Sequence, residues 1–109
     1  MMLLGYRSAV EGFLCVHDAD GDALGLDRTV CLPNKAYAVA EMIEALERVA
    51  AEDGIKLGPI TRERDASVEA ICGSWPLKMD ATRAMALGCP ADRDLDSVIR
   101  GFVQDFLTP

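Results

Sequence analysis

The amino-acid sequence predicts a small α+β domain, mostly helical, with about five helices and two short strands in one unit spanning residues 1–109. Three observations point there. A chain of 109 residues is one domain's length. Two long stretches, residues 39–50 and 95–106, carry apolar side chains at the helical period. One run, residues 28–32, is short, contains β-branched residues and is closed by Pro33-Asn34, as a strand would be.

Taken in order, residues 7–19 place Val10, Phe13, Leu14 and His17 at helical spacing, which predicts a helix with that stripe turned inward. Ser8 is its candidate N-cap, and Glu11 can complete a capping box. The polar run Asp18, Asp20, Gly21 and Asp22 then ends the helix. It resembles the opening of a calcium loop, but Thr29 stands where the bidentate Glu would have to be, so it reads as a solvated turn. Residues 28–32 form the first expected strand. From Val39 onward Met42, Ile43, Leu46, Val49 and Ala50 form one apolar stripe, while Glu41, Glu44, Glu47 and Arg48 face out; Asp53-Gly54 stops this helix.

Residues 60–64 alternate loosely and suggest a second strand. Asp65 is placed to cap a short helix over residues 66–72, with Val68 and Ile71 inward, which Gly73-Ser74-Trp75-Pro76 breaks. Asp80 is placed to cap another helix over residues 81–87, and Arg83 is spaced to pair with Asp80. The last helix, residues 95–107, lines up Leu95, Val98, Ile99, Phe102, Val103 and Phe106 on one side, with Asp94 at its positive end. Two isolated strands make a marginal sheet, which hints at a missing partner.

Composition excludes several functions. With a net charge of −7 and its one local basic pair, Arg62 and Arg64, neutralised by Glu63 and Asp65, the chain is a poor ligand for nucleic acid. The apolar start at residues 1–4 is too short for a signal peptide or a membrane span, so a soluble, cytoplasmic protein is expected. Because only 6% of residues are aromatic, the core should rest on Leu, Ile, Val, Met and Ala, with Trp75 as its large ring. Cys15, Cys31, Cys72 and Cys89 form no close pair in sequence, so they are expected as small buried hydrophobes rather than metal ligands or disulfides.

Chemistry of the chain's own is not written here. Its single histidine, His17, has no nucleophile on its own face of the helix, since Cys15 two residues away points elsewhere. No GxGxxG follows a strand and no GxxxxGK[ST] occurs, so no cradle for a dinucleotide or triphosphate is visible. No catalytic residue, cofactor site or metal site is expected in the chain.

One extended pattern carries a resemblance. It runs through RSAVEGF (residues 7–13), RTVCLP (28–33), VAEMIEALERVA (39–50) and CGSWPLKMDATRAMALG (72–88) to the final helix. It resembles the C-terminal region of the NAD-dependent epimerase/dehydratase superfamily, the extended short-chain dehydrogenase/reductases; nearest in likeness is the D-erythronate dehydrogenase branch. The resemblance implies a two-part oxidoreductase. A Rossmann domain binds NAD and carries a Tyr-x-x-x-Lys pair, and a smaller, mostly helical region binds the substrate. This chain resembles that second region. Tyr6 and Tyr37 are followed four residues on by Val10 and Glu41, so neither gives the paired spacing.

Carried over residue by residue, the resemblance implies three substrate-binding candidates. Arg7 stands where the family has Ser-Pro-Arg, although Gly5-Tyr6 replace Ser-Pro here; its fork suits a sugar-acid carboxylate. Trp75 and Lys78 lie in the segment that resembles the family's Gly-Trp-Pro loop, where Arg is more usual than Lys78. The partners implied are a Rossmann domain on a separate chain, or a second copy in a homodimer, and a sugar-acid-type small molecule in the intact enzyme. The alternative reading is a stand-alone, self-associating interaction module.

Overall fold

Small residues make up much of the interior, with Gly5, Gly12 and Gly101 each leaving room for a side chain from elsewhere in the chain. The computed structural model describes residues 1–107. In chain order the elements are β1 (Met2–Leu3), α1 (Tyr6–Asp18), α2 (Gly21–Leu24), β2 (Lys35–Ala36), α3 (Val39–Glu52), α4 (Ala66–Gly73), α5 (Thr82–Ala86) and α6 (Leu95–Phe102), the last continued by a π-helical turn, Val103–Leu107. The mostly helical α+β class is as the sequence predicts, with six α-helices among the described residues.

The strands are elsewhere than expected. β1 pairs antiparallel with β2, Met2 opposite Ala36 and Leu3 opposite Lys35. The Tyr37 amide extends this ladder by donating to the Met1 carbonyl at 2.8 Å. Neither residues 28–32 nor residues 60–64 form a strand. The first segment spends its groups on helices: Leu32 lies under Gly12 of α1, and the Thr29 carbonyl accepts from Arg83 of α5. The second is exposed along its whole length with no strand beside it. β-propensity alone does not create a pairing partner.

α1 begins at Tyr6 with Gly5 as its N-cap residue, three residues earlier than a Ser8 cap would require. The capping group comes from far along the chain instead. Asp92 accepts from the Gly5 amide at 2.5 Å and from Ser8 Oγ at 2.6 Å. The helix packs through Gly12, where a Cβ would stand 2.9 Å from a Leu32 methyl. Its apolar stripe therefore faces the opposite way from the sequence expectation. Val10, Phe13 (72% exposed) and Leu14 lie at the surface, and His17 is exposed with them.

α3 and α6 form the main helix pair. Ala45, Val49 and Ala50 of α3 are buried, as is Gly101 of α6. Asp94 caps α6 by accepting from the Ser97 amide at 2.7 Å, and Gly54 (φ +67°) closes α3 with the Ile55 amide returning to the Ala50 carbonyl at 2.8 Å. Val49 is the largest fully buried side chain. The core is thus built on Ala and Gly more than on Leu and Ile, and Trp75 is half exposed outside it.

α4 is capped as predicted, Asp65 accepting from the Ser67 and Val68 amides at 2.8 and 3.2 Å. It contributes no buried residue, however, and only Glu69 reaches a shallow groove shared with Val39, Ala40 and Ile43 of α3. Val68 and Ile71 point to solvent rather than inward, and from residue 58 to residue 80 every residue but Cys72 is exposed, though several, such as Trp75, are only about half so. This arm explains a radius of gyration of 16.8 Å, against about 13 Å for a compact chain of this length. No described helix is long and apolar enough to cross a membrane.

Candidate substrate-side site

A small cavity lies where α1 starts, between it and α6. It measures about 200 Å³, and its lining includes Arg7, Ser8, Asp92, Arg93 and Ser97. The fold brings these together for local reasons. Asp92 ties the loop before α6 to the first turn of α1, and the Asp94 cap fixes Ser97, whose Oγ donates to the Asp94 carbonyl at 2.7 Å. Backbone hydrogen bonding from Ser97, followed by contact with Arg93, holds the Asp94 carboxyl below its usual range.

Arg7 is held firmly. Its Nε and Nη2 donate to Asp105 at 2.8 and 2.6 Å, and Nη2 also reaches Gln104 Oε1 at 3.3 Å and the Gly101 carbonyl at 3.4 Å. Tyr6 donates its hydroxyl to the same Asp105 carboxylate, and its ring lies 5.3 Å from Phe106. Among the described residues Nη1 of Arg7 makes no hydrogen bond. A guanidinium so placed keeps one N–H edge for an anionic guest. Arg93 adds a second cation, engaged only through Nε to Asp94 at 3.0 Å. The two guanidinium groups are each paired with a carboxylate, Asp105 and Asp94, and the Ser8 and Ser97 hydroxyls already donate within the chain. A polar guest would therefore be met by the remaining N–H groups and by hydroxyl oxygens as acceptors.

The sequence candidates are not brought together. Lys78 lines a separate shallow groove with Met79, Asp80, Ala81, Thr82 and Met85, and Trp75 lies on the arm, lining neither depression. Arg83 does not pair with Asp80. Its guanidinium donates to the Leu24 carbonyl and to the Thr29 carbonyl at 3.0 Å, while Asp80 is taken by Thr82. Sequence reasoning missed Asp92, Arg93 and Ser97. The only local signal was the acidic, serine-bearing start of α6, which marked a cap but not a cavity wall. Of the four cysteines only Cys89 is buried; Cys15, Cys31 and Cys72 are half buried.

The chain's own residues do not fit a dinucleotide. A pyrophosphate needs free amides at a helix start that follows a strand. At both such places the N-cap amide already meets a carboxylate, which would repel a phosphate: Asp92 at Gly5, and Glu41, which accepts from the Ala38 amide at 2.6 Å. Among the described residues no group of three or more His, Cys, Asp or Glu side chains is placed to hold a metal ion.

The fold is a mostly helical unit with one two-stranded antiparallel sheet, and the chain belongs to the NAD-dependent epimerase/dehydratase superfamily. The relatives that show this are sugar-acid and sugar-nucleotide enzymes by name. The chain is 41% identical over 105 residues, 96% of its length, to D-erythronate dehydrogenase of Cupriavidus necator. It is 36% identical over 76 residues, 70% of its length, to D-erythronate dehydrogenase of Haemophilus influenzae. The crystal structure of a nucleoside-diphosphate-sugar epimerase from Agrobacterium tumefaciens superposes on 95% of the chain with a TM-score of 0.82 and 31% identity. No family model matches. The chain spans 32% and 24% of the two dehydrogenases and 30% of the epimerase, about a third of their length or less.

Proposed function

We propose that this chain is the C-terminal, substrate-side portion of an NAD-dependent sugar-acid dehydrogenase acting in the cytoplasm, and that it is not catalytic alone. The observation that carries this is the outward stripe of α1. Val10, Phe13 and Leu14 stand 56%, 72% and 58% exposed on a chain that aligns with about a third of its relatives, so the remaining two-thirds supply the surface they lack. The partner is a Rossmann domain, on the same polypeptide or another. NAD bound there would accept hydride from a hydroxyl carbon, while this chain holds the substrate's acid group with Arg7 and its hydroxyls with Ser8 and Ser97. Trp75 and Lys78, carried by the projecting arm, close over the substrate once the other domain is present.

The test is reconstitution. The chain is mixed with a purified Rossmann-domain segment of a D-erythronate dehydrogenase, and NADH formation is followed with D-erythronate. Turnover that needs both pieces supports the reading, whereas NADH formation by the chain alone overturns it. The exposed stripe also favours a second reading, a self-associating module. A tight dimer at all concentrations in sedimentation, with no complementation, would select that one.

A further inference from the structure

Two cysteines that lie 74 positions apart in sequence meet sulfur to sulfur. Cys15 Sγ and Cys89 Sγ are 2.8 Å apart, a hydrogen-bond contact between thiols. Cys15 also donates toward the Leu87 carbonyl at 3.5 Å. With its proton given there, Cys15 is the acceptor for the Cys89 thiol.

Both partners sit on fixed backbone. Cys15 lies on the inner face of α1, three residues after the buried Gly12. Cys89 is held at the end of α5, its amide donating to the Ala84 carbonyl at 3.0 Å beside the Gly88 turn. A disulfide has a sulfur separation of about 2.05 Å, so closure asks for a movement of less than an ångström.

We infer that Cys15 and Cys89 form an oxidisable thiol pair, a site of reversible disulfide formation that fastens α1 to the end of α5 when a hydroperoxide is present. Exposure assigns the roles. Cys15 is half buried and within reach of a small oxidant, while Cys89 is buried and resolves. Burial, and then the hydrogen bond with Cys15, pushes the Cys89 thiol up to about 11, which suits a protonated resolving group more than a first nucleophile.

The chemistry balances. The Cys15 thiolate attacks one peroxide oxygen and becomes a sulfenic acid as the O–O bond breaks and the other oxygen leaves as water or alcohol after taking a proton. The Cys89 sulfur then attacks the Cys15 sulfur; an S–S bond forms, the S–O bond breaks, and the hydroxyl departs as water with the Cys89 proton. Two thiols are oxidised by two electrons in all, and one peroxide is reduced. A small thiol reverses the step by exchange.

The experiment treats the reduced chain with a small excess of hydrogen peroxide and reads intact mass, free thiols and a non-reducing peptide map. The expected result is loss of two hydrogens, a fall from four titratable thiols to two, a Cys15–Cys89 cross-link within one chain, and full recovery with dithiothreitol. The C31S/C72S double variant should behave as the parent does. The C15S variant, checked for helicity by circular dichroism, should keep its Cys89 thiol. Should C15S fail to fold, the peptide map of the parent decides by itself. Four surviving thiols, a Cys15 sulfenic acid that never couples, or a cross-link through Cys31, Cys72 or a second chain would each overturn the inference.

Discussion

Arg48 on α3 grips Asp96 on α6 with two parallel hydrogen bonds, Nε to Oδ2 at 2.9 Å and Nη2 to Oδ1 at 2.6 Å. One turn along the same interface Arg100 answers with Glu52 at 2.5 Å and Asp53 at 3.2 Å. The pairs run in opposite senses, so sliding the helices would break both. Because half of the Arg48 side chain is exposed, salt screens the contact. Asp96→Asn should therefore lower Tm by only a few degrees at low salt and by less at high salt. Thermal melts at two ionic strengths check this. A salt-independent loss would mean that the contact acts through packing.

The close approach of α1 to Leu32 predicts a graded response at Gly12. A Cβ there meets both Leu32 methyls, at 2.9 and 3.0 Å, and a methyl can give a little. Gly12→Ala gains helix propensity of about 1 kcal/mol, which offsets the crowding and leaves stability nearly unchanged. Gly12→Val adds two further carbons to the same contact and should destabilise by about 1–3 kcal/mol. Urea unfolding of the two variants separates them; equal losses would show that the Leu32 side chain does not lie against Gly12 as described.

Acid should loosen the helix starts. Backbone hydrogen bonds at Asp65 and Asp94, and the Thr82 contacts at Asp80, hold these three carboxyls below their ordinary value of 3.8 in the folded chain. Unfolding returns them to it. The folded state thus binds fewer protons, so the stabilisation is complete above the ordinary value and is lost as pH falls through the lowered folded values. Tm should stay level from pH 7 to about 5 and drop below about pH 4. In Asp65→Asn and Asp94→Asn the acid-side drop should be smaller than in the parent. A parent Tm that does not change on acidification would contradict the caps.

Caps and amphipathic helices were legible because their signals are local: Asp65 before residues 66–68, Asp94 before Ser97, Gly54 after α3. Which way a helix faces is not local. The Val10–Phe13–Leu14 stripe is a correct periodicity with the wrong tertiary assignment, since Gly12 on the other side gives α1 the closer approach. Val68, Ile71 and Trp75 failed in the same way, apolar in sequence and about half exposed in the fold. Arg7 was legible only through resemblance. Its cavity was not, because Asp92 and Arg93 reach it across more than eighty positions. The Cys15–Cys89 contact spans nearly as much chain and leaves no spacing signal.

If the outward face of α1 is a docking surface, Phe13 should matter little to the fold and greatly to assembly. At 72% exposure it contributes little to the core, so Phe13→Ser should unfold within about 0.5 kcal/mol of the parent. In the reconstituted pair the same change should weaken association by about tenfold or more, the usual effect of losing a well-packed aromatic anchor. Val49→Ala gives the mirror image. It removes buried carbons between α3 and α6, costs about 2 kcal/mol and leaves the docking face untouched. Loss of assembly without loss of stability in one variant, and the reverse in the other, is the pattern that identifies the surface.

The last prediction concerns Arg7. Asp105 holds the Nε–Nη2 edge of its guanidinium, and Nη1 is the nitrogen with no hydrogen bond among the described residues. Arg7→Lys keeps the charge but cannot span Asp105 and an acid group at once, because an ammonium lacks the planar fork. In the reconstituted enzyme it should raise KM for D-erythronate by about tenfold while kcat changes far less, because a contact with the acid group is made in the ground state and the transition state alike. Arg93→Lys should have a smaller effect, because only its Nε is committed. A fall in kcat with KM unchanged would place Arg7 in the chemistry instead. No effect on either would reduce the Arg7–Asp105 pair to a strut between α1 and the π-helical turn.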